Sequence, residues 1–256
     1  MKLQNLPEKN SYTYNAFNYT KLIPLAYFGF NADEALVLGA GFILTTYGFQ
    51  KSPNASTHAL GARWASATNA LELNYDGKYT SVLGRFDLNF RFIIRDPRFA
   101  YNYFGLGNET QKTTEDKDYN RVRIGQLHVF PELTRTIRNS TFGGGLFYQQ
   151  FDVENTQDRY ISDIPANGLD LEIFERQKFA GVSLRYEVDS RNDKVLPTRG
   201  VYWNTYTLFN YSLTESAKTY NQLASDFRYF LSFRKPYRAV LAFRLGGAIN
   251  AGNYQF

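Results

Sequence analysis

The sequence predicts an all-β protein, an antiparallel transmembrane β-barrel, and three observations carry that expectation. The chain has 256 residues with 20 Tyr and 22 Phe, yet its mean hydropathy is only −0.43. Apolar and polar residues alternate with period 2 along most of its length, the pattern of strands with two unlike faces. No run of about 18 apolar residues and no stretch of helical period occurs, so neither a membrane helix nor a covering helical layer is available. A barrel in a bilayer reconciles all three: apolar side chains meet lipid, aromatics ring the interfaces, and polar groups fill the lumen. The competing architecture, a soluble aromatic-rich sandwich or barrel, needs a second element to cover each apolar face, whereas lipid does so unaided.

Residues 1–20 are polar and aperiodic and read as a linker or the end of an upstream domain, with the barrel spanning 21–256. Met1–Asn10 lacks an apolar core, so the start is not a signal peptide, and an exported protein of this kind has lost its leader or is a piece of something longer. Strand-like runs follow. Lys21–Phe30 closes on the turn residues Asn31-Ala32-Asp33-Glu34, and Ala35–Gly48 puts Leu36, Leu38, Ala40, Phe42 and Leu44 on one face. After a polar connection at 49–56, Thr57–Ala67 and Ala70–Thr80 form a hairpin about Thr68-Asn69. In the latter, Leu71, Leu73, Tyr75 and Tyr79 oppose Glu72, Asn74, Asp76 and Lys78. Next, Phe86, Leu88, Phe90, Phe92 and Ile94 oppose Arg85, Asp87, Asn89, Arg91 and Arg95. A long loop at 96–118 precedes runs near 119–136, 140–154, 177–188, 200–213, 218–234 and 237–250, with a second long loop at 155–176. That makes about eleven strands of the ~9–11 residues or slightly more that a tilted span requires.

Long loops lie outside and short turns inside in such barrels. The two long loops follow the fifth and seventh runs, so they share one end, which places residues 189–200 at the periplasmic end. The pleat then predicts Phe86, Leu88, Phe90, Phe92, Leu223, Phe227, Tyr229 and Leu231 toward lipid, with Glu72, Asn74, Arg91 and Asp226 inward.

Between the alternating runs Ala180–Val188 and Val201–Leu208 lies Asp189-Ser190-Arg191-Asn192-Asp193-Lys194-Val195-Leu196-Pro197-Thr198-Arg199-Gly200. Its Pro cannot donate to a ladder and its Gly is free to take positive φ, so it reads first as a strand-to-strand connection. Its two clusters, Asp189, Ser190, Arg191, Asn192 and Pro197, Thr198, Arg199, Gly200, resemble a signature of the bacterial surface antigen family. These are barrels of the outer-membrane assembly superfamily that includes BamA and TamA. Tyr103-Phe104-Gly105-Leu106-Gly107-Asn108-Glu109-Thr110 resembles a loop of the same family, and the resemblance runs from about Lys21 to the end of the chain.

The resemblance implies a sixteen-stranded barrel of the bacterial outer membrane, of which this chain supplies about eleven strands. A long loop bearing an Arg-Gly-Phe/Tyr motif follows the eleventh strand in such barrels, and the chain stops at Gly252–Phe256 where it would begin. The expectation is therefore an incomplete, open barrel. A smaller complete barrel ending on the aromatic Phe256 is the competing reading. The resemblance implies insertion or translocation of proteins at the outer membrane, with lipid, unfolded outer-membrane proteins or a fused periplasmic domain as partners. Two alternatives stand beside it: a barrel that anchors or exports a fused metallophosphoesterase or patatin-like enzyme, and a simple porin.

Candidate chemistry is sparse. No Cys is present, and His58 and His128 stand far apart with no ligand-spaced carboxylate, so no metal site is expected. Gly143-Gly144-Gly145 lacks the Lys-Ser/Thr and helix of a phosphate loop and sits inside a strand, as do Gly39, Gly41, Gly246 and Gly247. No nucleophile–base pair or carboxylate dyad appears, so neither catalysis nor a cofactor is expected. The net charge of +5 is dispersed through the strands, not a nucleic-acid footprint. The remaining candidates are polar-face charges expected to line the lumen: Arg85, Asp87, Arg91, Arg185, Glu187, Asp226, Arg228, Arg234, Arg238 and Arg244.

Overall fold

The computed structural model describes residues 18–31, 34–105, 116, 118–163, 171–215, 219–233 and 239–252. Outside them fall residues 1–17, Gly107, Asn108, Glu109 and Thr110 of the family-like loop, Arg234, Arg238 and the last four residues.

The expected runs of alternation are strands. They are β1 (Lys21–Asn31), β2 (Ala35–Thr46), β3 (Ser56–Ala65), β4 (Ala70–Leu83), β5 (Phe86–Arg95), β6 (Ala100–Asn102), β7 (Arg121–Ile137), β8 (Ser140–Val153), β9 (Gln177–Asp189), β10 (Gly200–Ser212), β11 (Tyr220–Phe233) and β12 (Ala239–Gly252). All pair antiparallel in one sheet, each long strand beside the next in the chain. The sequence did not announce β6, whose three residues are too few to show a period; it pairs with the start of β7 through Ala100↔Arg123 and Asn102↔Arg121. Two 3-10 turns, Tyr160–Ser162 and Leu171–Phe174, lie in the second long connection.

The connections after β5 and β8 lie at one end of the sheet, the loop end. The β9–β10 connection lies at the opposite, turn end. Arg85 departs from expectation: it occupies the β4–β5 turn beside Gly84 (φ 62) and projects from the turn end, not from a wall strand. Alternation counted back from Phe86 overran the strand by one residue.

Directly paired residues point to the same side of a sheet, so the register settles the faces. On one side lie Trp64↔Leu71, Tyr75↔Phe92 and Leu88↔Leu133. Leu146↔Val182, Thr207↔Leu184 and Phe227↔Leu245 continue that face. On the other lie Arg63↔Glu72, Asp76↔Arg91 and Asn89↔Glu132, joined by Gly143↔Arg185, Asn204↔Glu187 and Arg228↔Arg244. Most charges of the wall are on the second face, while Arg121, Arg123, Arg135, Asp152 and Lys178, most of them near strand ends, share the parity of the first. The first hairpin differs. There the charged face carries Ile23↔Ile43, Leu25↔Gly41 and Tyr27↔Gly39, so β1 beyond its first residue, Lys21, is apolar on both sides.

The few buried apolar side chains gather at the loop end, on the charged side. Val37, Ala65 and Ala70 pack with Phe99, and Val122 and Val153 pack with Ile161 and Ile173 from the 3-10 turns. The long connections thus fold back over the charged face, on which Phe147 and Phe179 of the wall strands are also buried. β1 and β12 end the hydrogen-bonded path and do not pair with each other, so among the described residues the sheet is open.

Candidate functional site: the charged face and the β9–β10 turn

The β9–β10 segment is a turn that satisfies its own polar groups. The Asp189 carboxylate accepts from Arg191 Nε at 2.9 Å and Nη2 at 2.8 Å, a bidentate fork, and from the Arg191 amide at 3.2 Å. Asn192 Oδ1 accepts from the amides of Thr198 (3.0 Å) and Arg199 (2.9 Å), while its Nδ2 donates to Thr198 Oγ1 at 2.9 Å. Asp193 Oδ1 takes the amides of Val195 (2.7 Å) and Leu196 (2.8 Å), which holds that carboxyl below its usual range. Ser190 Oγ accepts from the Val201 amide at 3.0 Å. Gly200 re-enters the sheet at φ 111, and a Cβ there would overlap the Ser190 carbonyl. Pro197 needs no donor bond. Each motif residue has a part in the turn's geometry, Arg199 through its backbone amide and carbonyl while its side chain is exposed.

Arg191 links this turn to the charged face. Its guanidinium lies 4.6 Å from the Tyr202 ring centre, and Arg228 lies 5.3 Å from the same ring, both within cation–π range. Arg228 and Arg244 converge on Asp226, at 2.5 Å and 3.0 Å for the closest contacts. Glu187 faces the same way and acts on Arg191 through space. Arg185 binds Glu132 Oε2 at 2.8 Å, and Asn89 donates to the same oxygen at 3.3 Å. Arg91 pairs with Asp76 at 3.0 Å on an exposed part of the wall. Asp87 serves a local purpose, accepting the Ser81 amide at 2.7 Å where the β4–β5 ladder shifts register.

Alternation identified side but not partnership, and the most enclosed cluster was missed as such. Glu72 is 4% exposed and accepts from Arg63 Nε (3.1 Å) and Nη2 (2.8 Å) and from Arg95 Nε (2.5 Å). Arg63 also lies 5.7 Å from the Phe99 ring centre and Arg95 5.5 Å from that of Tyr101. The folded-back connection therefore closes over Glu72. The available signal was arginine recurring on the glutamate side of two neighbouring strands. Among the described residues no group of three His, Cys, Asp or Glu could hold a metal.

The Omp85 superfamily domain matches residues 63–255. The chain belongs to the Omp85 superfamily. The crystal structure of BamA from Haemophilus ducreyi lacking POTRA domains 1–3 shares the fold, with a TM-score of 0.60 at 14% identity over 93% of the chain. The chain spans 42% of the length of that BamA chain. No curated protein sequence matches it.

Proposed function

We propose that this Omp85 chain is part of the barrel wall of an outer-membrane machine that inserts or translocates other proteins, with its charged face toward the lumen and its β9–β10 turn in the periplasm. The supporting observation is the first hairpin. β1 stands at a sheet edge with one row of backbone groups unpaired among the described residues. Such a row is a template for an incoming strand. Pro24 lies in this strand and has no N–H to offer. Past Lys21 at its start, β1 carries none of the alternating charge that locks the middle of the sheet, so its pairing is weakly specified. The role calls for a strand that exchanges partners.

The test is site-specific crosslinking in the outer membrane. A photoreactive side chain at Leu25 in β1 should capture a folding barrel protein while it is being assembled, and one at Asp76 in mid-sheet should not. Equal capture at both positions, or none at Leu25 during active assembly, would defeat the proposal.

A further inference from the structure

Arginines without a carboxylate gather at the turn end. Along the wall and in the long connections guanidiniums meet carboxylates, from Arg63 at Glu72 to Arg244 at Asp226. Among the described residues, Arg85, Arg135, Arg138 and Arg199 pair with none, and all four lie at the turn end. Three of them stand on two neighbouring hairpins. Arg85 is in the β4–β5 turn and Arg138 in the β7–β8 turn, both exposed. β5 pairs with β7 from Asp87↔Thr134 onward, so the two turns are side by side. Arg135, near the end of β7, is directly paired with Phe142 of β8.

Arg135 shares the parity of Leu133, so it projects from the apolar face, where it is half-buried. Its guanidinium lies 5.7 Å from the Phe86 ring centre. An aromatic row continues across that face. Phe142 lies 5.0 Å from Tyr186, and Tyr186 lies 5.5 Å from Trp203, centre to centre. Trp203 donates its indole N–H to Ser225 Oγ at 3.0 Å. Partly exposed aromatics in a row across an apolar wall mark a membrane interface. Arg135 puts a charge into that row. Arg85 and Arg138 stand just beyond it, Arg138 by roughly 10 Å along the chain.

A guanidinium does not give up its proton in a protein, so a charge at this level calls for an anion. The wall does not supply one. Asp87, Glu132 and Glu187, at neighbouring strand positions, all project from the charged face, with the sheet between them and Arg135. Asp87 accepts the Ser81 amide and Glu132 is held by Arg185. Asp189, whose amide bonds Asn139 in the β7–β8 turn, is held by the Arg191 fork. The anions that reach this height outside the wall are lipid phosphates.

We propose that Arg85, Arg135 and Arg138 form a docking surface for an anionic phospholipid headgroup of the leaflet at the turn end. The Arg135 fork would take phosphate oxygens bidentately, the two turn arginines would hold the headgroup from the water side, and Phe86 and Phe142 would lie against the start of the acyl chains. The occupant is a lipid because the Arg135 guanidinium lies over a lipid-facing ring, where a soluble partner would have to enter the interface to reach it. This inference goes beyond the assembly role and rests only on the apolar face meeting lipid, so failure of the β1 crosslink leaves it standing.

The test uses protein purified from membranes with a single tryptophan. Trp64→Phe and Trp203→Phe remove the native pair, and Phe142→Trp places the reporter directly across from Arg135. Phe142 is 52% exposed, so the larger ring has room. In phosphatidylcholine bilayers, brominated phosphatidylglycerol should quench this tryptophan at a several-fold lower mole fraction than brominated phosphatidylcholine. The preference should vanish in Arg135→Gln/Arg138→Gln, fall in Arg85→Gln, and persist in Arg91→Gln, which removes the same charge from the other face. Cold-gel mobility and circular dichroism confirm that each variant is folded, and Arg138→Gln alone, in an exposed turn, should give a partial loss that does not depend on the double variant folding. Equal quenching by the two lipids, or a preference unchanged in all the turn-end variants, would overturn the site. A loss as large in Arg91→Gln would assign the preference to overall charge and overturn it as well. Millimolar inorganic phosphate at matched ionic strength should leave the preference in place; full displacement would assign the surface to the free anion and overturn the lipid assignment.

Discussion

Replacing Glu72 by Gln keeps the shape of the side chain and removes its charge from between two guanidiniums. Breaking a fully buried ion pair in this one-sided way costs about 3–5 kcal/mol. Glu72 is 4% exposed, but Arg63 and Arg95 keep 39% and 24% of their side-chain surfaces. Water therefore recovers part of the loss, and about 2–3 kcal/mol is expected, a roughly 30- to 150-fold shift in the folding equilibrium. Asp76→Asn is the internal comparison. It removes the same kind of charge from a pair that is 62% and 54% exposed, where about 0–1 kcal/mol is expected. The assay is urea unfolding in lipid vesicles, followed by the fluorescence of Trp64 and Trp203 and extrapolated linearly. Adding Arg95→Gln to Glu72→Gln removes one of two like charges left facing each other, so the double variant should be no less stable than the single. A Glu72→Gln loss below about 0.5 kcal/mol, or no larger than that of Asp76→Asn, would refute the view that enclosure by Phe99 and Tyr101 gives this site its strength.

Three other outcomes follow from the same geometry. Phe90→Arg puts a charge on lipid and should cost roughly 2–4 kcal/mol near mid-depth, while Asn89→Arg on the opposite face should be tolerated, both read from the same unfolding curves. Gly200→Ala should lower the yield of folded protein in a gel-mobility assay, since φ 111 and the Ser190 carbonyl leave no room for a Cβ; wild-type yield would show that the turn rearranges freely. The Asp193 carboxyl is held low by two amides, so its contribution is present above the unfolded value of about 3.9 and is lost as pH falls through the lower folded value. Amide shifts of Val195 and Leu196 should move together across that acid window by NMR and stay flat in Asp193→Asn.

The wall was legible because charge and apolarity take opposite sides of a strand, and period 2 is visible wherever about five residues show it. Phe86–Arg95 and Ala70–Thr80 are such runs, and both are strands with the expected sides. The motif at 189–200 was legible as a turn from Pro197 and Gly200, although only coordinates show Asn192 and Asp193 capping it. What escaped was non-periodic or depended on distant partners. β6 is three residues long, Arg85 sits one position past a strand end, and Phe99 and Ile161 belong to connections that fold back onto the wall. Glu132 hid in β7 because Phe130 and Pro131 interrupt the alternation around it.

The two-sided apolar character of β1 makes the sheet a lock with one loose tumbler. Sliding β5 by a single residue would turn Arg91 and Arg95 into lipid, a penalty that rejects the wrong alignment. Sliding β1 exchanges Leu22 and Phe28 for Ile23 and Tyr27, one greasy set for another, with Gly39 and Gly41 beneath offering little to catch on. Errors of threading during biogenesis should therefore collect in this first hairpin while the middle of the wall reads its own alignment correctly. A heterogeneous β1 beside a uniform β4–β5 would be the native behaviour of this sequence, and a charge engineered into the β1 side that faces lipid-free space would be the way to still it.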